Sequence, residues 1–359
     1  MKRLFAIILY LALAACLCGC GRKNTASAGQ SGGSAAAPSA EQRKVSSVEV
    51  YNRTGKIQKE EFPDYVVEYT YDDSGRLLSV KKNGGELGSN APIETYLYSG
   101  GNCTQKVLYN AFGSTQEASY WTYGKDGVLT KERVVSIAAD VSGKPAKTES
   151  VTDYEPDGTK KVTVTSDGSG FTKTEYGYGP AGKLVTENIY HSTDGKTYDF
   201  AEAHSYAHDE VGNLVRFQKR DSADVIFSSE LFEVDETGNI LKDTVYSAAE
   251  PTEQNMLSQH LYEYGENGKV SFEALYAGEN LTQTYYAYDD AGNRTRVSVQ
   301  TYRSGKLTGT ETTETEYDSH SNPVRETVTG EDGHSTVTAQ WEYEYYEDGR
   351  IKRKTNYES

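Results

Sequence analysis

The residues that could do chemistry are few and scattered. His204 and His208 stand four apart, a spacing that on a helix would turn both imidazoles toward one metal ion. The pairs Asp72-Asp73 and Asp289-Asp290 could hold calcium beside turn carbonyls, or cap those turns as Asx residues. Cys103 is the only cysteine beyond residue 20 and could act as a thiol nucleophile. The chain contains no Gly-x-Ser-x-Gly elbow, phosphate loop or His-Glu-x-x-His motif. Its 53 acidic residues are spread too widely to single out a hydrolytic pair. These features predict a non-enzymatic protein without cofactor or metal, in which the histidines, aspartates and Cys103 are structural.

The elements that carry them are repeats. A Tyr followed four positions later by Gly recurs as Tyr51/Gly55, Tyr71/Gly75, Tyr123/Gly127, Tyr154/Gly158, Tyr178/Gly182, Tyr264/Gly268, Tyr288/Gly292 and Tyr345/Gly349. Degenerate copies at Tyr98, His208, Val234 and Tyr317 complete twelve units with a mean period of about 27 residues. Two residues before the anchor sits another aromatic in most units, such as Tyr69, Trp121 and Tyr206, and two after the Gly sits an aliphatic such as Leu77. That alternation is a strand period, and the stretch Asp72-Asp73-Ser74-Gly75 is a type I turn closed by a left-handed Gly. In such a hairpin the anchor Tyr falls opposite the aliphatic slot, which Cys103 fills in the shortened unit as a small buried hydrophobe.

Beyond the slot, Tyr109, Tyr190, Tyr246 and Tyr276 are expected on the same face as the anchor, before a return turn such as Asp194-Gly195-Lys196. Two strands per unit predict an all-β protein of tandem antiparallel hairpins. They form one long meander of about 24 strands that must curl or spiral, with aromatic rows inside and Lys, Glu and Thr outside. Ala248 to His260 lacks the alternation and reads as a long return loop or short helical excursion. The basic run Arg350-Ile351-Lys352-Arg353-Lys354 reads as a guard on an edge strand, or as a contact for anionic polymer.

The copies Tyr71-Asp72-Asp73-Ser74-Gly75-Arg76-Leu77 and Tyr288-Asp289-Asp290-Ala291-Gly292-Asn293 resemble the YD repeat of the Rhs family. The resemblance runs through Tyr123/Gly127, Tyr178/Gly182, Tyr264/Gly268 and Tyr345/Gly349 and covers residues 46–359. Gly124, Gly179 and Gly265 replace the Asp, and Arg294 replaces the aliphatic. Family members use such repeats as shells around toxins or as extracellular contact surfaces, sometimes for carbohydrate. Because the chain ends nine residues after Arg350, the resemblance implies no C-terminal toxin domain here.

The first residues supply an address. Met1-Lys2-Arg3 followed by an apolar run from Leu4 to Ala15 is a secretory signal too short to span a bilayer. Its end resembles a bacterial lipobox, with Cys20 as the expected lipidated residue and Cys16 as the alternative. Residues 1–19 are therefore read as signal peptide, 20–45 as lipidated cysteine and Gly/Ser/Ala-rich tether, and 46–359 as the repeat domain. A net charge of −16 excludes nucleic acid as a default partner. Only 36% of residues are hydrophobic, Tyr included, and Tyr outnumbers Phe 29 to 9, so a thick aliphatic core is not expected. The sequence thus predicts a lipid-anchored protein of the bacterial envelope, outside the cytoplasmic membrane. Its partners would be the membrane, through the lipid, and carbohydrate or a surface protein. The alternative is a shell element for a separately encoded toxin.

Overall fold

The computed structural model describes residues 44–358, apart from 86, 87, 89 and 140–144. Cys16, Cys20 and the tether lie outside the described residues, as does the return turn Ser142-Gly143-Lys144. Among the described residues there are twenty-four strands, from β1 (Val45–Tyr51) to β24 (Ile351–Tyr357), each antiparallel to its neighbours in the chain. The strands form hairpins because of a repeated local rule. In the turn between β3 (Tyr65–Tyr71) and β4 (Leu77–Gly84), the Gly75 N–H donates to the Asp72 carbonyl. The Asp72 N–H donates to the Arg76 carbonyl, and Gly75 has φ of +77°. That is a left-handed position no side chain occupies cheaply.

The anchor stands opposite the slot in all twelve units, from Tyr51 opposite Ile57 to Tyr345 opposite Ile351. In each unit the ladder then slips by one residue, a bulge just after the slot. This extra residue corrects one expectation. Counting past it, Tyr190 falls opposite Lys173, in the row of Asn188 and Glu175, while Tyr176 and Glu187 face each other in the other row. Tyr109, Tyr246 and Tyr276 are displaced in the same way. They lie on the face opposite the anchors because a bulge shifts side-chain parity by one.

The meander does not end in a spiral. β1 pairs with β24, Val48 against Thr355 and Glu49 against Lys354, so the sheet closes into one large barrel. Lys354 donates to Glu49 at 2.8 Å and Asn356 donates to Ser47 at 2.9 Å across the closure. Closure also overturns the edge-strand reading of Arg350 to Lys354, since a closed barrel has no edge to guard. Those cations pair with carboxylates instead, Arg350 with Asp348 and Lys352 with Glu344. The segment read as a long return loop is shorter than expected. A single 3₁₀ turn at Glu253–Asn255 leads directly into a strand that begins at Met256.

With strands about 4.8 Å apart and tilted by some 40°, twenty-four of them enclose a ring with a radius on the order of 20 Å. Flattening such a ring into a two-layer sandwich would bury its inner face. Among the described residues the buried apolar side chains are small, Val48, Val67, Val80, Val107, Ala118, Ala203 and Ala274, and no Tyr or Trp joins them. The barrel is therefore hollow. Cys103 is free and half-buried in its slot rather than a core residue.

Candidate functional site

The signature residues gather at one rim, where the anchor tyrosines and the aspartates satisfy backbone groups. Strands splay beside a turn, leaving the slot carbonyl without a ladder partner. The anchor hydroxyl of the next unit fills that vacancy: Tyr71 donates to the Ile57 carbonyl at 2.7 Å, and Tyr123 to the Cys103 carbonyl at 2.9 Å. Tyr264 does the same to Ile240 at 2.8 Å and Tyr288 to Val270 at 2.9 Å. Tyr345 bonds Asp318 instead. Asp72 accepts the Arg76 N–H at 2.8 Å and its guanidinium Nε at 2.6 Å. Asp289 accepts both the backbone N–H and the side-chain amide of Asn293. The hydrogen bonds from Arg76 and Asn293 hold both carboxyls below the usual carboxylate range. Capping is thus what these aspartates do. Gly127, Gly182, Gly268, Gly292 and Gly349 all have positive φ at the equivalent turn. The residue after the Gly reaches the next unit, Lys56 over the Tyr71 ring at 5.4 Å, Arg76 over Tyr98 at 4.7 Å and Lys269 over Tyr288 at 5.2 Å. Leu77 lies half-buried opposite Tyr71. The anchor hydroxyl and the residue after the Gly therefore join one hairpin to the next, the Asp and the Gly hold the turn itself, and the set is spread around the rim rather than converging on one point.

A second set pairs side chain with side chain around the ring, and the sequence reading misplaced its acidic half. The aromatic two residues before the anchor shares its face with the residue five after the Gly of its own or the preceding hairpin, and that residue is often acidic. Tyr69 donates to Glu60 at 2.7 Å, Trp121 Nε1 to Glu132 at 2.8 Å, Tyr206 to Glu187 at 2.8 Å and Tyr286 to Glu273 at 2.7 Å. Glu was expected on the opposite face from the aromatics, yet here it forms a belt with them. Burial first, then the adjacent carboxylates, push the hydroxyls of Tyr69, Tyr206 and Tyr286 upward, and Tyr154 to about 12, so they remain donors at neutral pH. Side chains converge on the concave side of a curved sheet and diverge on the convex side. The exposed strand tyrosines Tyr120, Tyr276 and Tyr285 all lie on the other face, while Tyr69, Tyr206 and Tyr286 are half-buried, so the belt is the inner face. The recurrence of an acid five residues after Gly at Glu60, Glu132, Glu187, Asp243 and Glu273 was a signal available in the chain.

Two histidines sit in the belt. The strands involved are β12 (Leu184–Ser192), β13 (Asp199–His208), β14 (Leu214–Asp221), β15 (Ile226–Val234), β16 (Ile240–Tyr246) and β17 (Met256–Tyr264). His204 on β13 lies between two carboxylates, Nδ1 at 3.0 Å from Glu187 and Nε2 at 2.8 Å from Glu202. Ionised carboxylates only accept, so both ring nitrogens must carry hydrogen. The hydrogen bond to Glu187 is the main cause that raises the imidazole. His208 ends the same strand opposite Leu214, four residues or roughly 13 Å along an extended chain. The two histidines do not meet. His260 on β17 faces Asp243 on β16 and accepts or donates to Tyr262 at 2.7 Å. Next to this group, Glu230 on β15 and Asp243 are both raised, in each case first by burial, and Asp243 pushes Glu230 further. Phe217 stands opposite Glu230 and Phe232 opposite Asp243. The belt can therefore offer aromatic faces and fixed acceptors to a ligand entering the barrel.

No family model matches the chain, and no curated protein matches it. Solved structures do. The TcdB2-TccC3 complex without its hypervariable C-terminal region is 12% identical over 86% of this chain and 24% of that one, with a TM-score of 0.17. A porin-like protein from Bacteroides uniformis is 12% identical over 68% of this chain and 94% of that one, with a TM-score of 0.30. A porin-like protein from Bacteroides vulgatus is 13% identical over 77% and 100%, with a TM-score of 0.21. The chain spans about a quarter of the toxin chain it resembles.

Proposed function

We propose that this chain is a non-enzymatic, lipid-anchored protein of the bacterial envelope whose hollow repeat barrel presents its inner face to an extracellular carbohydrate or protein. The observation that carries this reading is the half-open aromatic belt. Rings of Tyr69, Trp121, Tyr206 and Tyr286 are only partly covered, while their polar atoms are held in fixed directions by carboxylates. Aromatic faces over oriented polar groups suit sugar rings and peptide segments alike. The non-enzymatic part is supported by Glu60, Glu132, Glu187 and Glu273 each being held by a tyrosine or tryptophan donor. Lipidation at Cys20 supplies the attachment, and the outer face argues that the barrel itself does not span lipid. That face carries Lys59, Glu68, Lys81, Arg133, Glu149 and Glu175, where a membrane barrel needs an apolar band. The test is a glycan array and a wall-polymer pull-down with the full-length, detergent-solubilised chain. Saturable binding weakened by Trp121→Ala supports the reading, and silence in both assays overturns it.

A second reading is favoured by closure. A hollow barrel is also a container, so the chain could serve as a shell element for a separately encoded toxin or secretion partner. Co-purification of a protease-protected protein from the native host would support that reading over the first.

A further inference from the structure

The two rims of the barrel differ. One carries the Tyr-to-Gly turns. The other carries the return turns, and because β1 starts and β24 ends there, it is also where the chain enters the barrel at Val45. Among the described residues sixteen large apolar side chains are exposed, and ten of them lie in a return turn or within two residues of a strand end on the return rim, against four at the other rim. Several stand at turn tips or the first residues after them: Phe112 is 87% exposed, Val225 56%, Leu257 54% and Leu307 46%. Phe112 follows the Asn110 cap, whose side chain accepts its N–H at 2.9 Å, so the turn holds the ring outward. Single exposed apolar residues are ordinary, but their concentration on the rim where the chain enters is not.

We propose that the return rim is a membrane-docking surface, with Phe112, Val225, Leu257 and Leu307 dipping into the lipid headgroup layer. The proposal rests on the lipid-anchor reading above. On that reading twenty-four residues join the lipid at Cys20 to Lys44 on this rim, and such a linkage raises the effective concentration of the rim at the bilayer. With the lipid attached on that side, a few shallow apolar contacts are enough to orient the barrel. The inner belt then opens away from the membrane through the opposite rim. Asp167, Asp194 and Asp221 cap return turns on the docking rim, so the surface it fits is zwitterionic rather than anionic.

The test uses the full-length chain in phosphatidylcholine vesicles with brominated acyl chains, with Trp121 and Trp341 replaced by Phe. Phe112→Trp should show blue-shifted emission that bromine quenches, and Val211→Trp, at the opposite rim, should show neither. Adding phosphatidylglycerol should weaken the quenching. Equal quenching at both positions, or none at Phe112→Trp, overturns the proposal. Fatty-acid labelling of the same chain, with and without Cys20→Ser, reads the anchor separately. A labelled but unquenched chain refutes the rim alone, and an unlabelled one refutes the anchor, while the quenching ratio still decides the rim.

Discussion

The hydroxyl of Tyr346 donates to the carbonyl of Tyr51 at 2.9 Å, across 295 residues of chain. Position 346 follows the anchor Tyr345, where other units have a turn-capping Asp72 or Asp289. In the last unit an aromatic has replaced the cap and reaches over the closure to the first unit. Beside it, Arg53, Tyr345, Tyr346, Glu347, Asp348 and Lys352 line an open cleft of about 480 Å³. The join between the chain's two ends thus has its own fastening, distinct from those that join consecutive units.

Tyr346→Phe removes this bond and should cost about 1 kcal/mol. Hydrogen exchange is expected to speed up in β1 and β24 and remain unchanged in β12 and β13. Uniform acceleration, or none, would show that the closure does not depend on this contact.

The consecutive fastenings predict a graded series. Tyr71→Phe leaves the Ile57 carbonyl unpaired and should lower stability by about 0.5–1.5 kcal/mol. Gly75→Ala forces a side chain into φ of +77° and against the Lys56 ammonium, at a cost of about 1–2 kcal/mol from the backbone alone. Urea midpoints in the order wild type, Tyr71→Phe, Gly75→Ala are the expected result.

His204 and Glu187 should give β12 and β13 a pH-dependent link. The imidazole is raised, so its contribution is complete below its ordinary value of 6.5 and lost as pH rises through the folded one. Glu187 is lowered, first by His204, so its contribution is complete above 4.5 and lost as pH falls through the folded value. The link is strongest between about pH 4.5 and 6.5 and weakens on either side. Exchange rates of the β13 amides measured against pH should show this window, and His204→Gln should remove its alkaline limb.

Glu230 predicts the opposite sign. Burial and Asp243 raise its carboxyl, so the ionised form is disfavoured in the folded barrel and stability falls as pH rises through the folded value. Glu230→Gln should therefore raise the melting temperature at pH 7 and make little difference at pH 3, where both proteins carry a neutral side chain. A destabilised variant at pH 7 would mean that Glu230 has a compensating partner.

Much of this architecture was legible because the chain states it twelve times. Tyr71, Gly75 and Leu77 announce a hairpin through a two-residue alternation on either side of a left-handed turn, and the opposition of Tyr71 and Leu77 follows from turn geometry alone. The face of Tyr190 was not legible, since a bulge leaves no mark in composition and yet inverts every side chain beyond it. Glu187 was hidden in the same way, its acid visible in sequence but its side of the sheet set by that same extra residue.

The sequence by itself determined the unit: two strands, a capped turn and an aromatic row, all enforced by contacts within a few tens of residues. Only the tertiary structure decided that the ribbon closes, because Val48 against Thr355 and Tyr346 against Tyr51 depend on twist accumulated over twenty-four strands. Closure in turn gave the sheet an inside, and on it lie both His204 with Glu187, paired across adjacent strands, and Glu230 with Asp243, within one hairpin. No local pattern encodes which face of the ribbon becomes that inside, since it arises from the curvature of the whole ring.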